Sequence, residues 1–232
     1  MQPKDIDQGY LTYAQGDQYL QCAYLLALSV KLNCKINHFT VVVDIETSKT
    51  ITGSMHSVFD NVIIIDHMPP FENECLTWEI TPYKETFKVE SDMLITSNID
   101  HWWQACRMKD ICFTNGVRDY KLQPADDRAY RQLWQDNGLL NVYNGFMYVR
   151  HCEASMNFFK TAREVFDKYH VYRDTILKNC RHNMPDTDVV FSITAELCCR
   201  ENFYLPTLDD KTFTHMKKHV NQCIHEDWQD AC

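Results

Sequence analysis

Two carboxylates spaced two residues apart are the first feature of this sequence that suggests chemistry. Glu90 and Asp92 flank Ser91 in segment 83–97, whose polar start passes into alternating and then apolar residues. Residues i and i+2 of a strand point to the same side, so we expect both carboxylates where this strand gives way to a loop. Two adjacent anions repel unless a cation lies between them, and hard oxygen ligands suit Mg²⁺ or Mn²⁺. The alternative is a solvated acidic turn, the usual meaning of an isolated pair of this kind.

Composition indicates an ordinary globular protein. The chain has 232 residues, of which 45% are hydrophobic and 24% charged, and we see no repeat, low-complexity segment or long linker, so we expect a single domain over 1–232. No apolar run approaches the roughly 20 residues of a membrane span, and the start lacks the apolar core of a signal peptide. We therefore expect a cytoplasmic protein whose eleven cysteines are reduced thiols.

The charge is negative overall but uneven. A net charge of −9 argues against a surface that binds nucleic acid throughout. Residues 107–181, however, hold thirteen Lys or Arg against nine Asp or Glu. Solvated basic faces of helices explain this surplus, and the alternative is that a phosphate-rich ligand or acceptor uses the region.

The first part of the chain predicts an open α/β sheet. Gly9–Ala14 is typical of a strand, and Asp17 is a candidate N-cap for a helix over 18–32. His38–Asp44 and Asn61–Asp66 are apolar runs that each end in a carboxylate, the pattern of buried parallel strands. Ligands bind such doubly wound sheets outside the carboxyl ends of the strands.

The second part predicts helices that alternate with strands. Asn144-Gly145 interrupts its strand as a bulge or turn, and Asp186 precedes its helix as an N-cap with Asp188 in the first turn. Of Trp102 and Trp103, we expect one in the core and one on the surface. The predicted elements are helices over Ile99–Met108, Pro124–Asn137, Glu153–Tyr169, Asp186–Cys199 and 217–229, and strands over Ile111–Thr114, Asn141–Arg150, Phe203–Leu208 and Phe213–Met216.

Several separated segments together resemble one family, over nearly the whole length from Tyr10 to about Lys218. The segments are Tyr-Leu-Thr-Tyr-Ala from 10 to 14, Pro82-Tyr-Lys, Glu90-Ser-Asp-Met, Asn144-Gly-Phe-Met, Asp186-Thr-Asp-Val and Phe213-Thr-His-Met-Lys. Their order and spacing resemble the GT-A-fold glycosyltransferases, most closely the glycogenin-like retaining galactosyl- and glucosyltransferases and the compact members found in large bacteriophage genomes. The resemblance implies a Rossmann-like mixed sheet flanked by helices, with a nucleotide-binding half over 1–100 and an acceptor-binding half over 101–232.

The resemblance implies a metal site. Glu90-Ser91-Asp92 takes the place of the family's Asp-x-Asp, which holds Mn²⁺ (or Mg²⁺) against the diphosphate of a nucleotide sugar. His215 matches the histidine that completes the metal shell, and Lys217 then contacts a phosphate. Glu90 departs from the family's Asp by one methylene, so it binds the metal through water or shifts the ribose contact.

The resemblance also implies the residues that bind the donor and perform catalysis. Lys84 takes the place of the lysine that positions the nucleotide. Asp186 and Asp188 match an acidic pair that contacts sugar and acceptor, and Asp188 is favoured for steadying the anomeric centre. Asn144 contacts the sugar hydroxyls. The other donor-binding residues are Thr12, Tyr13, Ala14 and Asp17 for uracil and ribose, Tyr13 or Tyr19 as a stacking face, and Ser91 and Gly145.

The predicted function is transfer of a sugar from a UDP-sugar to a hydroxyl acceptor, with retention implied only by the resemblance. A saccharide is one acceptor. The alternative acceptor is hydroxymethylated cytosine in phage DNA, suggested by the phage-like resemblance and the basic surplus over 107–181. A third hypothesis, suggested by Glu90 in place of Asp, is a nucleotide-binding pseudoenzyme. The sequence gives no indication of the oligomeric state.

Overall fold

A computed structural model describes residues 4–66, 72–114, 117–119, 121–124, 131–180, 183–198 and 214. The strands are β1 (Ile6–Ala14), β2 (Phe39–Asp44), β3 (Asn61–Ile65), β4 (Tyr83–Val89), β5 (Ile111–Thr114) and β6 (Tyr143–Arg150). The helices are α1 (Asp17–Asn33), α2 (Ile45–Ser48), α3 (Gly53–His56), α4 (Thr77–Ile80), α5 (Asp100–Cys106), α6 (Gln132–Asn137), α7 (Glu153–Asp167), α8 (Tyr169–Ile176) and α9 (Thr187–Leu197). A 3₁₀ helix over Glu72–Leu76 precedes α4.

The six strands form one mixed sheet in the order β3-β2-β1-β4-β6-β5. Strands β1 to β4 are parallel, whereas β6 runs antiparallel to both β4 and β5. This confirms the predicted mixed α/β sheet. The carboxyl ends of β1, β2, β4 and β5 and the amino end of β6 therefore meet at one side of the sheet, which we call the site edge. Its residues are Ala14, Asp44, Val89, Thr114 and Tyr143.

The two faces of the sheet carry separate apolar clusters. On one face α1 packs through Leu20, Ala23, Leu26, Ala27 and Val30. Trp103 lies on the same face, 3.7 Å from Phe87 between ring centroids. On the other face α7 and α9 cover β5 and β6, with Phe158 and Phe191 against Phe113. The sheet is thus covered by apolar side chains on both faces around its centre. This packing holds in place the strand ends that form the site edge.

Burial differs from the expectation at two places. Strand β2 is buried up to Asp44, as predicted, but β3, at one edge of the sheet, is only partly buried, which differs from the prediction of a buried strand. Trp102 and Trp103 are both in the core, at 6% and 2% exposure, so the prediction that one lies on the surface was wrong. Helix α5 presents both indoles to the sheet, since Trp102 contacts Phe146 edge-on.

Two helices differ from their predicted extent. Pro124 lies in an isolated bridge with Arg118 rather than in a helix, residues 125–130 lie outside the described ranges, and α6 spans Gln132–Asn137. It ends as predicted at Gly138, whose φ of 62° lies in the left-handed region that glycine adopts without strain. The helix predicted over Glu153–Tyr169 is two helices, because Lys168 leaves the helical conformation at ψ 30°.

The last predicted elements lie outside the described residues. These are the strand at Phe203–Leu208, the helix at 217–229 and all of the strand at Phe213–Met216 except Thr214, which lies in an isolated bridge with Arg118. Among the described residues no helix has the length and apolar character needed to cross a membrane. The cysteines in the described ranges are reduced thiols, outside any disulfide.

Candidate functional site

The acidic pair lies in a turn at the site edge. Strand β4 ends at Val89, and Glu90, Ser91 and Asp92 follow it as a turn closed by a hydrogen bond from the Met93 amide to the Glu90 carbonyl (3.2 Å). The pair therefore stands at the end of the strand, as predicted, but the strand does not continue through it, so strand alternation does not set the direction of the two side chains. Glu90 is half-buried, Ser91 is buried and Asp92 is exposed.

This turn is attached to the start of β6. The Glu90 amide donates to the Gly145 carbonyl at 2.8 Å. Asn144 and Gly145 are buried within β6, and the pairing of β5 with β6 jumps there from Phe113–Met147 to Thr114–Tyr143. The predicted irregularity at Asn144-Gly145 is thus confirmed as a bulge. Bulges re-aim side chains, and this one brings Asn144 next to the acidic turn.

Asp186 caps the helix that follows it. Its Oδ1 accepts a hydrogen bond from the Asp188 amide at 2.8 Å, as the N-cap interpretation predicted. Asp188 lies in the first turn of α9, and its side chain remains 25% exposed. Its Oδ1 accepts from the Asn144 amide at 2.8 Å, which joins α9 to the bulge of β6.

An arginine that the sequence interpretation missed holds the other oxygen of Asp188. Arg131 Nη1 lies 2.8 Å from Asp188 Oδ2, and its Nε donates to Asn141 Oδ1 at 2.8 Å. Its guanidinium carbon lies 3.6 Å from the ring centroid of Trp134 and 4.0 Å from that of Tyr143. Stacking of this kind suits a delocalised cation, so Arg131 is fixed in orientation as well as paired.

A lysine buried in β4 completes the arrangement. Lys88 is 1% exposed, and its Nζ lies 2.9 Å from both Glu74 Oε1 and the Asn144 carbonyl oxygen. Asn144 Nδ2 donates to Glu74 Oε2 and, at 3.1 Å, to Thr187 Oγ1. We call this set of side chains the buried polar network. Its members are Glu74, Lys88, Arg131, Asn144, Thr187 and Asp188.

One sequence signal pointed to this network. Lys88 interrupts the segment Thr86-Phe87-Lys88-Val89, where a charge inside a strand needs a buried partner. Its partners lie 14 and 56 positions away along the chain, which no local pattern could have identified. Glu74 and Arg131 had no such signal.

The end of β1 supplies mostly buried groups. Thr12 and Ala14 are fully buried, and the Thr12 hydroxyl is a buried polar atom without a hydrogen-bond partner in the described part of the chain. The Tyr13 hydroxyl lies 3.0 Å from Thr77 Oγ1. Because the Thr77 hydroxyl donates to the Glu74 carbonyl, Tyr13 is the donor in this pair. Burial raises the pKa of Tyr13 well above its usual value, so this proton stays in place.

The start of α1 differs from the expectation. Gly16 is the N-cap, at φ 82°, and Asp17 is the first helical residue, so the prediction that Asp17 caps the helix was wrong. Glycine adopts this positive φ without strain, whereas residues with a side chain rarely do. The Gly16 amide donates to Thr47 Oγ1 at 2.7 Å. Tyr19 is 52% exposed on α1.

Lys84 does not lie at the site edge. It is near the amino end of β4, whereas Glu90 follows the carboxyl end, and six strand residues span about 20 Å. Its ammonium group pairs with Asp7 at 2.7 Å on the surface. A strand runs from one edge of the sheet to the other, and Lys84 and the acidic turn lie at opposite ends of β4. The position of Lys84 therefore contradicts its expected contact with the nucleotide.

The predicted metal site is described only in part. Glu90 and Asp92 are hard oxygen ligands in one turn, which fits a divalent cation. His215 and Lys217 lie outside the described residues. Within the described ranges no three His, Cys, Asp or Glu side chains are grouped closely enough to hold a metal ion.

Six of the thirteen basic residues over 107–181 form ion pairs with carboxylates among the described residues. These pairs are Arg107–Glu85, Arg131–Asp188, Arg150–Asp110, Arg163–Glu79, Lys168–Glu164 and Arg173–Asp174. This favours the interpretation of the surplus as basic residues on solvated helix faces over its use by a phosphate-rich ligand. No described feature of the region favours a DNA acceptor.

Comparisons with known proteins agree with this geometry. No family model matches the chain. Mouse glycogenin-1 is 26% identical over 171 residues, which cover 59% of this chain and 50% of glycogenin-1. The chain thus spans about half the length of the curated relatives it matches.

Solved glycosyltransferases share the fold. Mouse xyloside xylosyltransferase 1 superposes with a TM-score of 0.56 at 12% identity, covering 86% of this chain and 84% of that one. The galactosyltransferase LgtC, in complex with donor and acceptor sugar analogues, superposes with a TM-score of 0.51 at 12% identity, covering 96% and 93%. The predicted GT-A fold is confirmed: this chain has the fold of the GT-A glycosyltransferases.

Proposed function

We propose that this protein is a metal-dependent glycosyltransferase that moves a sugar from a UDP-sugar to a hydroxyl of a saccharide, with retention at the anomeric carbon. One observation carries the proposal. The hydrogen bond from the Glu90 amide to the Gly145 carbonyl attaches the acidic turn to Asn144 and Asp188. Residues suited to a diphosphate-bound cation and residues suited to a sugar therefore meet at one edge of a GT-A sheet.

The donor lies across the site edge in this proposal. Glu90 and Asp92, with His215, would hold a divalent cation, which would supply positive charge where the diphosphate leaves. The end of β1 from Thr12 to Asp17 lies beside uracil and ribose, and Ser91 and Gly145 border the donor. Tyr19 is the favoured stacking face, because it is exposed whereas the Tyr13 hydroxyl is held by Thr77. Lys84 is left out of this site.

The reaction exchanges one bond at the anomeric carbon for another. The bond from the sugar to the UDP oxygen breaks, the acceptor oxygen bonds to the same carbon on the same face, and the acceptor proton passes to a leaving phosphate oxygen. Asp188 steadies the positive charge that develops on the sugar. Its carboxylate is held by Asn144 and Arg131 before the reaction begins, and such preorganised charge stabilises the transition state without reorganisation.

Asp186 has a supporting part in this proposal. Its Oδ1 already accepts the Asp188 amide proton as the helix cap. It therefore fixes the position of Asp188 rather than acting on the sugar itself, which narrows the predicted acidic pair to one catalytic member.

A thermal-shift panel tests the proposal. A bound ligand raises the melting temperature according to its occupancy. We expect UDP and UDP-sugars to raise it in the presence of Mn²⁺ and far less in the presence of EDTA, with other nucleotides as matched controls. No shift with any uridine nucleotide in the presence of Mn²⁺ would contradict the proposed function.

A further inference from the structure

The buried polar network has an arrangement of charge that suits a sugar better than a phosphate. Its two cations are almost fully buried, since the side chains of Lys88 and Arg131 are 1% and 4% exposed. Its two carboxylates are the more accessible members, with the Glu74 side chain 16% exposed and that of Asp188 25%. Carboxylates accept hydrogen bonds and repel anions. The accessible side of the network therefore offers acceptors, which match hydroxyl donors.

The network also fixes the orientation of the Asn144 amide. Its Nδ2 donates to the Glu74 carboxylate, which only accepts, and to Thr187 Oγ1. Its backbone amide donates to Asp188 Oδ1. The side-chain oxygen, Oδ1, is left as a buried acceptor with no partner among the described residues, although Asn144 is only 1% exposed. A buried acceptor without a donor is costly, so Oδ1 has unused capacity to accept a hydrogen bond from a ligand hydroxyl.

The carboxylate of Glu74 is held at both oxygens, as that of Asp188 is by Asn144 and Arg131. Glu74 Oε1 accepts from Lys88 and its Oε2 from Asn144. The Glu74 backbone carbonyl accepts from Thr77, which in turn accepts from Tyr13 at the end of β1. The 3₁₀ helix that carries Glu74 is thus connected to the strand end where uracil is proposed to lie.

We propose that Glu74 is a specificity-determining residue for the sugar of the donor, and that Lys88 and Arg131 are positioning residues that hold Glu74, Asn144 and Asp188 as acceptors for sugar hydroxyls. This inference rests on the proposed function. Lys88 of β4 lies directly opposite Met147 of β6, so both side chains point to the same face of the sheet. The inference places the sugar of the donor at the site-edge end of that face.

Glu74→Gln tests the inference without removing volume. The new amide nitrogen can donate to Asn144, so the Asn144 amide can turn over and present a donor where it presented an acceptor. We expect the affinity for UDP-glucose, UDP-galactose or UDP-xylose, whichever the wild type binds most tightly, to fall roughly 10- to 100-fold. The affinity for UDP alone should stay within about twofold, because UDP lacks the sugar. Calorimetric titration in the presence of Mn²⁺ measures both.

Glu79→Gln is the matched control. Glu79 is exposed on α4, pairs with Arg163 on the surface and has no contact with the network. We expect this variant to bind UDP and the UDP-sugar as the wild type does.

A second pair of variants separates positioning from simple stability. Lys88→Met leaves Glu74 buried without its cation, whereas Lys88→Met combined with Glu74→Gln removes both charges. We expect the double variant to regain most of the melting temperature that Lys88→Met loses but none of its affinity for the UDP-sugar. If affinity and melting temperature recover together, the network is only structural and the inference is wrong.

The remaining outcomes are distinct. Unchanged UDP-sugar affinity in a folded Glu74→Gln variant overturns the inference and leaves the proposed function standing. Equal weakening of UDP and UDP-sugar also overturns it, because the effect is then not on the sugar. A wild type that binds neither ligand overturns the proposed function, and the inference with it.

Discussion

Two lysines four positions apart on β4 have opposite surroundings. Lys84, with a side chain 59% exposed, pairs with Asp7 at the amino end of the strand. Lys88, with a side chain 1% exposed, pairs with Glu74 near the site edge. Both ion pairs have similar lengths, 2.7 Å and 2.9 Å. Only the surroundings differ.

The difference shows which of the two ion pairs holds its charged groups in fixed positions. Water solvates Lys84 and Asp7 well with or without each other, so their pair adds little. The ammonium group of Lys88 is shielded from water, so its charge is stabilised by Glu74 and the Asn144 carbonyl instead. A buried ion pair is poor evidence of stabilisation as such, but here it holds residues at the edge of the sheet where ligands bind in this class of fold.

The largest expected effect is on the buried lysine. Lys88→Met should lower the free energy of unfolding by about 3 kcal/mol, because it leaves the mostly buried Glu74 carboxylate, 16% exposed, without its cation. Urea denaturation measures this change. Lys84→Met is the control and should unfold as the wild type does. Equal loss in the two variants would show that burial does not distinguish them.

The next effect is on activity. Asp92→Ala should reduce Mn²⁺-dependent release of UDP from the UDP-sugar at least about 100-fold, since it removes a proposed metal ligand. Asp136→Ala, at an exposed position of α6, is the control. Activity retained in the Asp92 variant would contradict the metal role, and absence of turnover in a wild type that binds the UDP-sugar would favour the pseudoenzyme hypothesis.

A third variant compares the two aspartates of α9. Asp186→Ala should cost about 1 kcal/mol of stability, the usual loss for an N-cap, with a small reduction in turnover. Asp188→Asn should reduce turnover far more, and it should also lower the melting temperature more, because it leaves the buried Arg131 without its carboxylate. Steady-state kinetics beside thermal melts distinguish the roles, and a larger loss of turnover in the Asp186 variant would reverse the assignment.

Much of the fold could be predicted from local sequence, because its signals are local. Helix α1 follows from apolar residues at helical spacing, and β2 from a run of β-branched residues that ends in Asp44. The bulge at Asn144-Gly145 and the cap at Asp186 were also predicted from residue types alone.

The site could be predicted only where it follows strand ends. The position of Glu90 and Asp92 at the end of β4 could be predicted because the polar and apolar pattern of the segment marks where this strand gives way to a loop. Lys84 was misplaced because nearness in sequence along a strand is not nearness at its edge. Arg131 contacts Asp188 from 57 positions away, and such long-range pairs are set by packing that one sequence does not display.

The smallest effect is on pH dependence. Asp44, at the site-edge end of β2, caps α2, and the hydrogen bond from the Thr47 amide holds the pKa of its carboxyl below the usual value. A lowered pKa in the folded state means that this contribution is complete above about pH 4 and is lost as the pH falls through the folded-state pKa. The melting temperature of the wild type should therefore decline more steeply below about pH 4 than that of Asp44→Asn. Parallel curves for the two proteins would contradict this.

Diffraction from crystals soaked with Mn²⁺ and a UDP-sugar tests the central claim most directly. The anomalous signal of manganese locates the metal independently of the protein model. The account predicts one manganese peak within coordination distance of Glu90 and Asp92, with the diphosphate on the metal and the sugar hydroxyls against Glu74, Asn144 and Asp188. A nucleotide bound with its diphosphate away from the acidic turn, or a turn without manganese beside a bound UDP-sugar, would contradict it.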